Sequence, residues 1–445
     1  MKFISHFNGE VVQPCLPRNA GYGKRKKAHS WLLFFFFGFS LAIPIAPESR
    51  ILFFDVIALG VCIAHCKVLA RSNQVRIVFL LYAIYIFSIF LSLVIHELPL
   101  INFIRRAFII TLLLIEALAL YRVISCADVK HQLVLLLALM LGMSMHYFYP
   151  VDERVIDEPI KFLLGLPFGV TITILFSFFL ANSLRQKLLL AGCLVAYSGF
   201  CFFQDSRIMG GIFFISACLV FMELDLPRKL HYRKVFPLYL LLGFMIIFAF
   251  IEAYSYLAIS GFFGDRAAGI AVFQEQFFGS LLLGGRPEVL INVMAFYDSP
   301  LIGHGPLSES LEYRGILSDI GVYGKGYLYG YEESIYHSTL FSAGHEAGLL
   351  ATFIWLYIVY KMAFSVPVFI AIHRQLAFVA IPVLISGVWN ILFSPLISYN
   401  RWNIALAIAF AFVASDLWRA SAAALRRPKW NCQVSNQSLG ASKRA

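Results

Sequence analysis

Long apolar stretches, separated by short polar segments, run from Trp31 almost to the end of the chain. A helix needs roughly 20 apolar residues to cross a hydrocarbon core of about 30 Å, and the stretches reach about that length. We predict about twelve spans, at 31–47, 50–67, 76–95, 101–121, 132–149, 161–181, 187–203, 208–225, 235–258, 346–370, 377–397 and 402–419. Because the stretches lack the alternation of barrel strands, an all-α polytopic membrane protein is predicted.

The basic residues of the connections predict the orientation of these spans. Lys24–Lys27 precede the first span, and Arg426 and Arg427 follow the last one. Because Lys and Arg concentrate on the cytoplasmic side, both tails, 1–30 and 420–445, are predicted to be cytoplasmic. Every second connection also carries Lys or Arg, whereas the connection after Phe148 is acidic. Of the twelve predicted spans, nine lie in 31–258 and three in 346–419.

Composition agrees with this arrangement, since 60% of the 445 residues are hydrophobic and only 14% are charged. The predicted inner connections account for most of the net charge of +11, so nucleic-acid binding is not expected. Cys62 and Cys66 flank His65 one helical turn apart, which permits a metal site, although packing is the more frequent role of such thiols. We predict neither a metal nor another cofactor.

One connection, 259–345, is far longer than the others and is predicted on the outer side. Segments of this length usually carry function or stay disordered. Apolar stretches at 270–283 and 289–297 predict short helices within it. The tyrosine-rich stretch 323–334 permits two interpretations, a surface that faces carbohydrate and a flexible interfacial loop. Tyr336 follows it directly.

Three groups on the predicted outer side are candidates for chemistry, namely Arg207, Arg286 and His337. Arg105 and Arg106 lie slightly inside the outer end of the fourth span. Alternatives remain open for each of these groups. Arg207 could anchor the chain at the interface by pairing with Asp205, His337 could bond the start of a helix, and Arg105 and Arg106 could extend to headgroups.

Arginines gathered at the outer side suit a lipid diphosphate. A guanidinium binds phosphate oxygens with two parallel hydrogen bonds and keeps its charge, so it can hold a diphosphate as a leaving group. The carboxylates of the long segment are dispersed rather than paired, and no metal cage is evident. A histidine can accept a proton from an attacking hydroxyl at neutral pH, and His337 is the candidate.

The stretches 284–306 and 337–350, with the sequence DSRIMGG upstream, resemble the signature of the O-antigen ligase and polysaccharide polymerase superfamily of bacterial inner-membrane proteins. The similarity lies in a Gly-Arg element (Gly285, Arg286), in a glycine turn, in a His-Ser element (His337, Ser338) and in a Glu-x-Gly element (Glu346, Gly348). The glycine turn comprises Pro300, Leu301, Gly303 and Gly305. Members of the family often carry His-Asn where this chain has His-Ser.

The resemblance implies that His337 activates an acceptor hydroxyl while Arg207 and Arg286 bind the undecaprenyl diphosphate of a glycan donor. Arg105, Arg106, Tyr336 and Glu346 are the candidates for further substrate contacts, and Gly285 and the glycine turn are expected to be structural. Glu346 also looks structural, and Gly348 is expected to let helices approach closely. His304 and His345 fall at variable positions. The active site would be periplasmic, within a multi-pass protein of the inner membrane.

Two roles agree with the resemblance. A ligase transfers a finished glycan to lipid A-core, whereas a polymerase transfers a growing chain to another lipid-linked unit; the His-Ser element and the acidic, tyrosine-rich segment favour a polymerase. The implied partners are the lipid-linked donor, the acceptor, membrane lipids and, as an open alternative, a chain-length regulator. A transporter for the same lipid-linked sugars is the other hypothesis. It requires charges deep in several spans, where Glu116 is nearly alone in the sequence.

Overall fold

The computed structural model describes residues 30–46, 51–149, 154–179, 184–204, 206–222, 245, 249, 252–265, 268–269, 271–272, 275, 287–308, 338–396 and 398–426. Helices dominate these residues, and the predicted all-α class is confirmed. In the described part of the chain, the strands are β1 (Pro44–Ala46) and β2 (Ile51–Leu52), which pair antiparallel.

The helices are numbered in chain order. They are α1 (Ser30–Phe39), α2 (Phe53–Ala64), α3 (Cys66–Leu69), α4 (Asn73–Ile95), α5 (Leu100–Cys126), α6 (Val129–Met145), α7 (Arg154–Asp157), α8 (Gly165–Phe179), α9 (Leu184–Phe203), α10 (Arg207–Met222), α11 (Pro287–Asp298), α12 (Thr339–Ile372), α13 (Arg374–Phe393) and α14 (Ser398–Arg426). A 3₁₀ turn, Ser40–Ala42, extends α1, and a π-helical turn, Ile160–Leu164, leads into α8.

Seven helices of the described residues are long and apolar enough to cross a membrane. They are α4, α5, α8 with its preceding turn, α9, α12, α13 and α14, and each coincides with a predicted span. Four other predicted spans coincide with the shorter apolar helices α1, α2, α6 and α10. The predicted span at 235–258 lies mostly outside the described residues. Length and composition therefore support a multi-pass membrane protein.

Two helix ends differ from the prediction for identifiable reasons. The first apolar stretch was predicted to be helical to residue 47, but its helix ends at Ala42. Pro44 lacks a backbone N–H, and the chain turns there into the β1–β2 hairpin. The tenth span was predicted from residue 346, but α12 already begins at Thr339 because Ser338 caps it: the Ser338 hydroxyl accepts a hydrogen bond from Phe341 N at 3.2 Å.

The predicted short helix at 289–297 is present as α11, whereas the one predicted at 270–283 lies mostly outside the described residues.

The centre of the fold is formed by α13 and α14. In α13, 72% of the apolar stretch is buried inside the protein, against 28% in α4, whose outer face is available to lipid. Helix α14 packs against α5, α12 and α13. A methyl group added to Gly387 of α13 would lie 2.3 Å from the Ala407 methyl of α14, so these two helices approach as closely as small residues permit.

Helix α12 is the element that positions the candidate site. It packs against α4 on one side and α11 on another, and the chain after α11 folds back onto it through the glycine turn. Segments that are far apart in the sequence therefore meet at the first third of α12.

Candidate functional site

Helix α12 is broken at Gly348. This residue has φ of 71° and ψ of −156°, a conformation that is essentially restricted to glycine. The break separates residues 339–347 from 349–372. Backbone groups on both sides of such a break lose their helical partners and need others, because an unsatisfied polar group is costly away from water.

The glycine turn supplies most of these partners. His304 N donates to the His345 carbonyl at 2.7 Å, and Gly305 N donates to the Glu346 carbonyl at 3.0 Å. In the opposite direction, Leu349 N donates to the Pro300 carbonyl at 2.8 Å.

The carbonyl of the residue just before the break is satisfied by a different helix. The Ser88 hydroxyl of α4 donates to the Ala347 carbonyl at 2.7 Å. Hydrogen bonds with the glycine turn and with α4 thus satisfy backbone groups on both sides of the break in α12.

Close packing also requires glycine at the contact between the turn and the break. A methyl group on Gly303 would lie 2.6 Å from Ala347 N, and one on Gly348 would lie 2.4 Å from the Leu301 carbonyl oxygen. Gly303 has φ of 75°, which disfavours other residues as well. Gly348 was expected to let two helices approach closely. The segment that approaches it is instead the glycine turn, and Gly348 also forms the break in α12.

A buried ion pair joins α5 to the same region. Arg106 Nε lies 2.6 Å from Glu346 Oε2, and their side chains are 6% and 0% exposed. The other carboxylate oxygen, Oε1, accepts a hydrogen bond from Leu307 N at 3.4 Å. Glu346 therefore connects α5, α12 and the residues that follow the glycine turn. Arg105, by contrast, is exposed.

Three histidines surround the glycine turn, a grouping that the sequence analysis did not predict. His96 Nε2 bonds the Gly303 carbonyl at 2.7 Å, and His304 Nε2 bonds the Ala295 carbonyl at 2.8 Å. The ring centroids of His304 and His345 are 5.3 Å apart. Since His96 is 207 residues from Gly303 in the chain, no local pattern could reveal this contact.

The first residues of α12 are held by the end of α13. The Ser338 hydroxyl donates to the Leu392 carbonyl at 2.6 Å. Thr339 donates to the Ser394 carbonyl through both its amide and its hydroxyl, each at 2.9 Å. The chain that follows His337 directly is consequently fixed, whereas His337 itself lies outside the described residues.

Arg207 is the first residue of α10 and packs against an aromatic cluster. Its guanidinium carbon lies 5.2 Å from the centroid of the Tyr254 ring, within the range of a cation–π interaction. The Tyr254 ring stacks on Phe263 at 5.1 Å, and Phe202 contacts both rings. The aromatic cluster restrains the side chain of Arg207. Asp205, the partner considered from the sequence, lies outside the described residues.

Several predicted site residues cannot be placed relative to this geometry. Gly285, Arg286, Tyr336 and His337 lie outside the described residues, as does the tyrosine-rich stretch 323–334. Of the predicted residues that are described, Pro300, Gly303 and Gly305 come together with Arg106, Glu346 and Gly348. Arg207 packs against the aromatic cluster of Phe202, Tyr254 and Phe263.

Glu116 is not alone in the membrane interior, contrary to expectation. Arg401 of α14 donates to it at 3.0 Å and also bonds Asp55 of α2. Arg401 of a neighbouring helix thus bonds one oxygen of Glu116, and the sequence analysis missed Asp55 and Arg401. Their separation of 346 residues explains why, since no local signal links them.

Metal ligation has no support within the described part of the chain. No three His, Cys, Asp or Glu side chains there converge as a metal site would require. Cys62 instead donates a hydrogen bond to the Ile115 carbonyl at 3.4 Å, and His65 directly follows α2.

Comparison of the chain with protein-family models finds no matching family, and comparison with curated proteins finds no similar sequence.

Proposed function

We propose that this protein transfers a glycan from a polyprenyl-diphosphate-linked donor to an acceptor hydroxyl, as an O-antigen or exopolysaccharide polymerase or an O-antigen ligase. The observation that carries the proposal is the docking of the glycine turn on the break in α12. Two segments of the proposed family signature, 300–305 and 338–348, thereby form one hydrogen-bonded unit. Because the two matched segments contact each other, they are better explained as parts of one site than as two unrelated sequence matches.

In the proposed reaction, the acceptor hydroxyl oxygen attacks the anomeric carbon of the donor sugar. The bond from that carbon to the diphosphate oxygen breaks, and the polyprenyl diphosphate leaves with the bonding electrons. His337 accepts the proton of the hydroxyl. Arg207 and Arg286 bind the diphosphate and stabilise its charge, which the fixed positive charge of a guanidinium suits well.

The contacts of the described residues support different roles for the two neighbouring arginines. The burial of Arg106 against Glu346 favours a positioning role for this pair, which ties the glycine turn to α5. The exposure of Arg105 leaves its side chain accessible to a substrate headgroup, as the proposal requires. Tyr336 would contact the substrate next to His337.

The proposal is tested by glycan synthesis in cells that lack the gene and carry variants of it. We expect His337→Ala, Arg286→Ala and Arg207→Ala to reduce product at least about 100-fold, the lower end of the effect of a general base or of an electrostatic stabiliser. Arg314→Ala is the matched control, since Arg314 lies in the same long segment but outside the signature. Immunoblotting of membranes must show normal abundance of each variant.

Normal product from the His337 and Arg286 variants would contradict the assigned sites. The glycans that accumulate after deletion of the gene separate the two roles. Single repeat units on the lipid carrier would identify a polymerase, and long carrier-linked chains would identify a ligase.

A transporter of lipid-linked sugars remains the second candidate, and the buried charges of Asp55, Glu116 and Arg401 favour it. Ionisable residues within spans are rare and frequently mark pathways for ions or substrates. A transporter would leave the lipid-linked sugars on the cytoplasmic side after deletion. Their accumulation on that side, with normal synthesis by membranes that are open to both sides, would select the transporter.

A further inference from the structure

A cluster of three ionisable side chains lies in the protein interior, away from the glycine turn. Arg401 Nη2 donates to Asp55 Oδ1 at 3.1 Å and to Asp55 Oδ2 at 3.0 Å. Arg401 Nε donates to Glu116 Oε1 at 3.0 Å. The side chains of Arg401, Asp55 and Glu116 are 5%, 3% and 0% exposed. This triad joins the helices α14, α2 and α5.

The formal charges of the triad do not cancel. Two carboxylates face one guanidinium, and Asp55 and Arg401 are the charged groups that interact with Glu116 within the described residues. Next to the triad, the Cys62 thiol donates a hydrogen bond to the carbonyl of Ile115, the residue before Glu116. With both acids ionised, the triad would hold a net charge of −1 where an uncompensated charge is costly.

The two carboxylates differ in how well they are bonded. Both oxygens of Asp55 accept from Arg401, and Oδ2 also accepts from Leu52 N at 2.9 Å. Glu116 receives donors on Oε1 alone. Its other oxygen, Oε2, is buried and has no hydrogen-bond partner among the described residues. Both oxygens of Asp55 therefore have donors, whereas Glu116 keeps one buried oxygen without a donor, which is costly for a charged carboxylate away from water.

We propose that the Asp55–Glu116–Arg401 triad is a binding site for one proton, which resides on Glu116 Oε2. With that proton bound, the triad is electrically neutral and Arg401 keeps a single ionised counterion, Asp55. The proton comes from water, and its binding forms an O–H bond on Glu116 without breaking another covalent bond. This site is separate from the signature residues of the proposed transferase.

Glu116→Gln tests the proposal, because glutamine has nearly the shape of a protonated glutamate and no charge. The purified full-length protein in detergent is measured at pH 7 by infrared spectroscopy and by thermal unfolding. The wild type should show the C=O stretch of a buried protonated carboxyl, and Glu116→Gln should lack it. The midpoint of unfolding should stay within about 2 °C of the wild type. Glu252→Gln, an exposed substitution, is the matched control and should change neither measurement.

Asp55→Asn should lower the midpoint clearly more than Glu116→Gln, because it removes the counterion of Arg401. Several outcomes would overturn the proposal. They are the absence of the carboxyl band in the wild type, its persistence in Glu116→Gln, and a midpoint for Glu116→Gln that rises well above the wild type or falls to that of Asp55→Asn. Failure of Glu116→Gln to accumulate as folded protein would also contradict it, since the neutral form would then not be the native one.

Discussion

At the scale of single residues, two glycines determine whether the break in α12 can form. Gly348 adopts a backbone conformation that other residues rarely reach, and Gly303 brings the glycine turn within van der Waals distance of that break. Neither position leaves room for a Cβ atom, because the nearest atoms belong to the backbone and cannot rotate away. The backbone geometry therefore requires glycine at both positions, whatever reaction the protein performs.

We expect Gly303→Ala and Gly348→Ala to destabilise the protein by about 1–3 kcal/mol each from backbone strain, with a further cost from the collision. The thermal midpoint of the detergent-purified protein measures this. Gly60→Ala in α2 is the matched control, since a methyl group there meets no atom within 4 Å. Alanine favours helix over glycine by about 1 kcal/mol, so the control should be neutral or stabilising. Equal midpoints for all three variants would refute the role of the break.

The sequence could predict which residues cluster at the glycine turn only in part. The family resemblance marks Pro300, Gly303 and Gly305 as a turn, but for Gly348 it predicts a close approach of helices and not a helix break. The partner of that turn could not be predicted, because its hydrogen bonds go to carbonyl groups that every residue has. Asp55 and Arg401 were missed for a related reason: they are 346 residues apart, and no local pattern links them.

At the scale of elements, the Arg106–Glu346 ion pair connects α5 to α12 across the protein interior. A buried pair contributes little net stability relative to a well-packed apolar pair, but loss of one partner leaves a charge that water cannot reach. The ion pair therefore determines how α5 and α12 align, and it adds little to the net stability of the protein.

Arg106→Met and Glu346→Gln should each lower the free energy of unfolding by about 3–5 kcal/mol. The double variant should lose much less than the sum of the two, because neither buried charge is then left alone. Chemical denaturation of the purified protein measures the three values. Arg105→Met, the exposed neighbour, is the control and should stay within about 0.5 kcal/mol of the wild type. Additive single effects would contradict direct coupling.

Most helices could be predicted from the apolar runs, whereas their ends depend on details that hydropathy does not register. Helix α12 begins seven residues before the predicted span because Ser338 and Thr339 bond the end of α13. The polar residues of 338–346 suggested a loop outside the membrane, yet they are buried by protein rather than lipid. Hydropathy measures the cost of transfer into lipid, so it misplaces a segment whose polar groups are satisfied by other helices.

At the scale of the whole molecule, the predicted orientation rests on the distribution of Lys and Arg along the chain. It implies that the residues around the glycine turn face the outside of the cell membrane, with both tails in the cytoplasm. The alternation of basic and non-basic connections extends over the entire sequence. The orientation it predicts is therefore tested with one position on each predicted side of the membrane.

We expect a membrane-impermeant thiol reagent added to intact cells or spheroplasts to label Tyr297→Cys and not Arg71→Cys. Both positions are exposed in the structure, which makes them matched in accessibility apart from their side of the membrane. The eight native cysteines are first replaced, and lysed membranes should label both positions. Labelling of Arg71→Cys alone in intact cells would reverse the orientation.

The triad of Asp55, Glu116 and Arg401 has a consequence for how the chain is made. The two carboxylates enter the membrane early, but Arg401 follows Glu116 by 285 residues. At synthesis rates of roughly 5–20 residues per second, the guanidinium arrives about 15–60 s later. During that interval α2 and α5 carry acids without their counterion, and a chain truncated before α14 never acquires it. We therefore expect the helices α2 and α5 to reach their final stability only after α14 has been made and has inserted beside them.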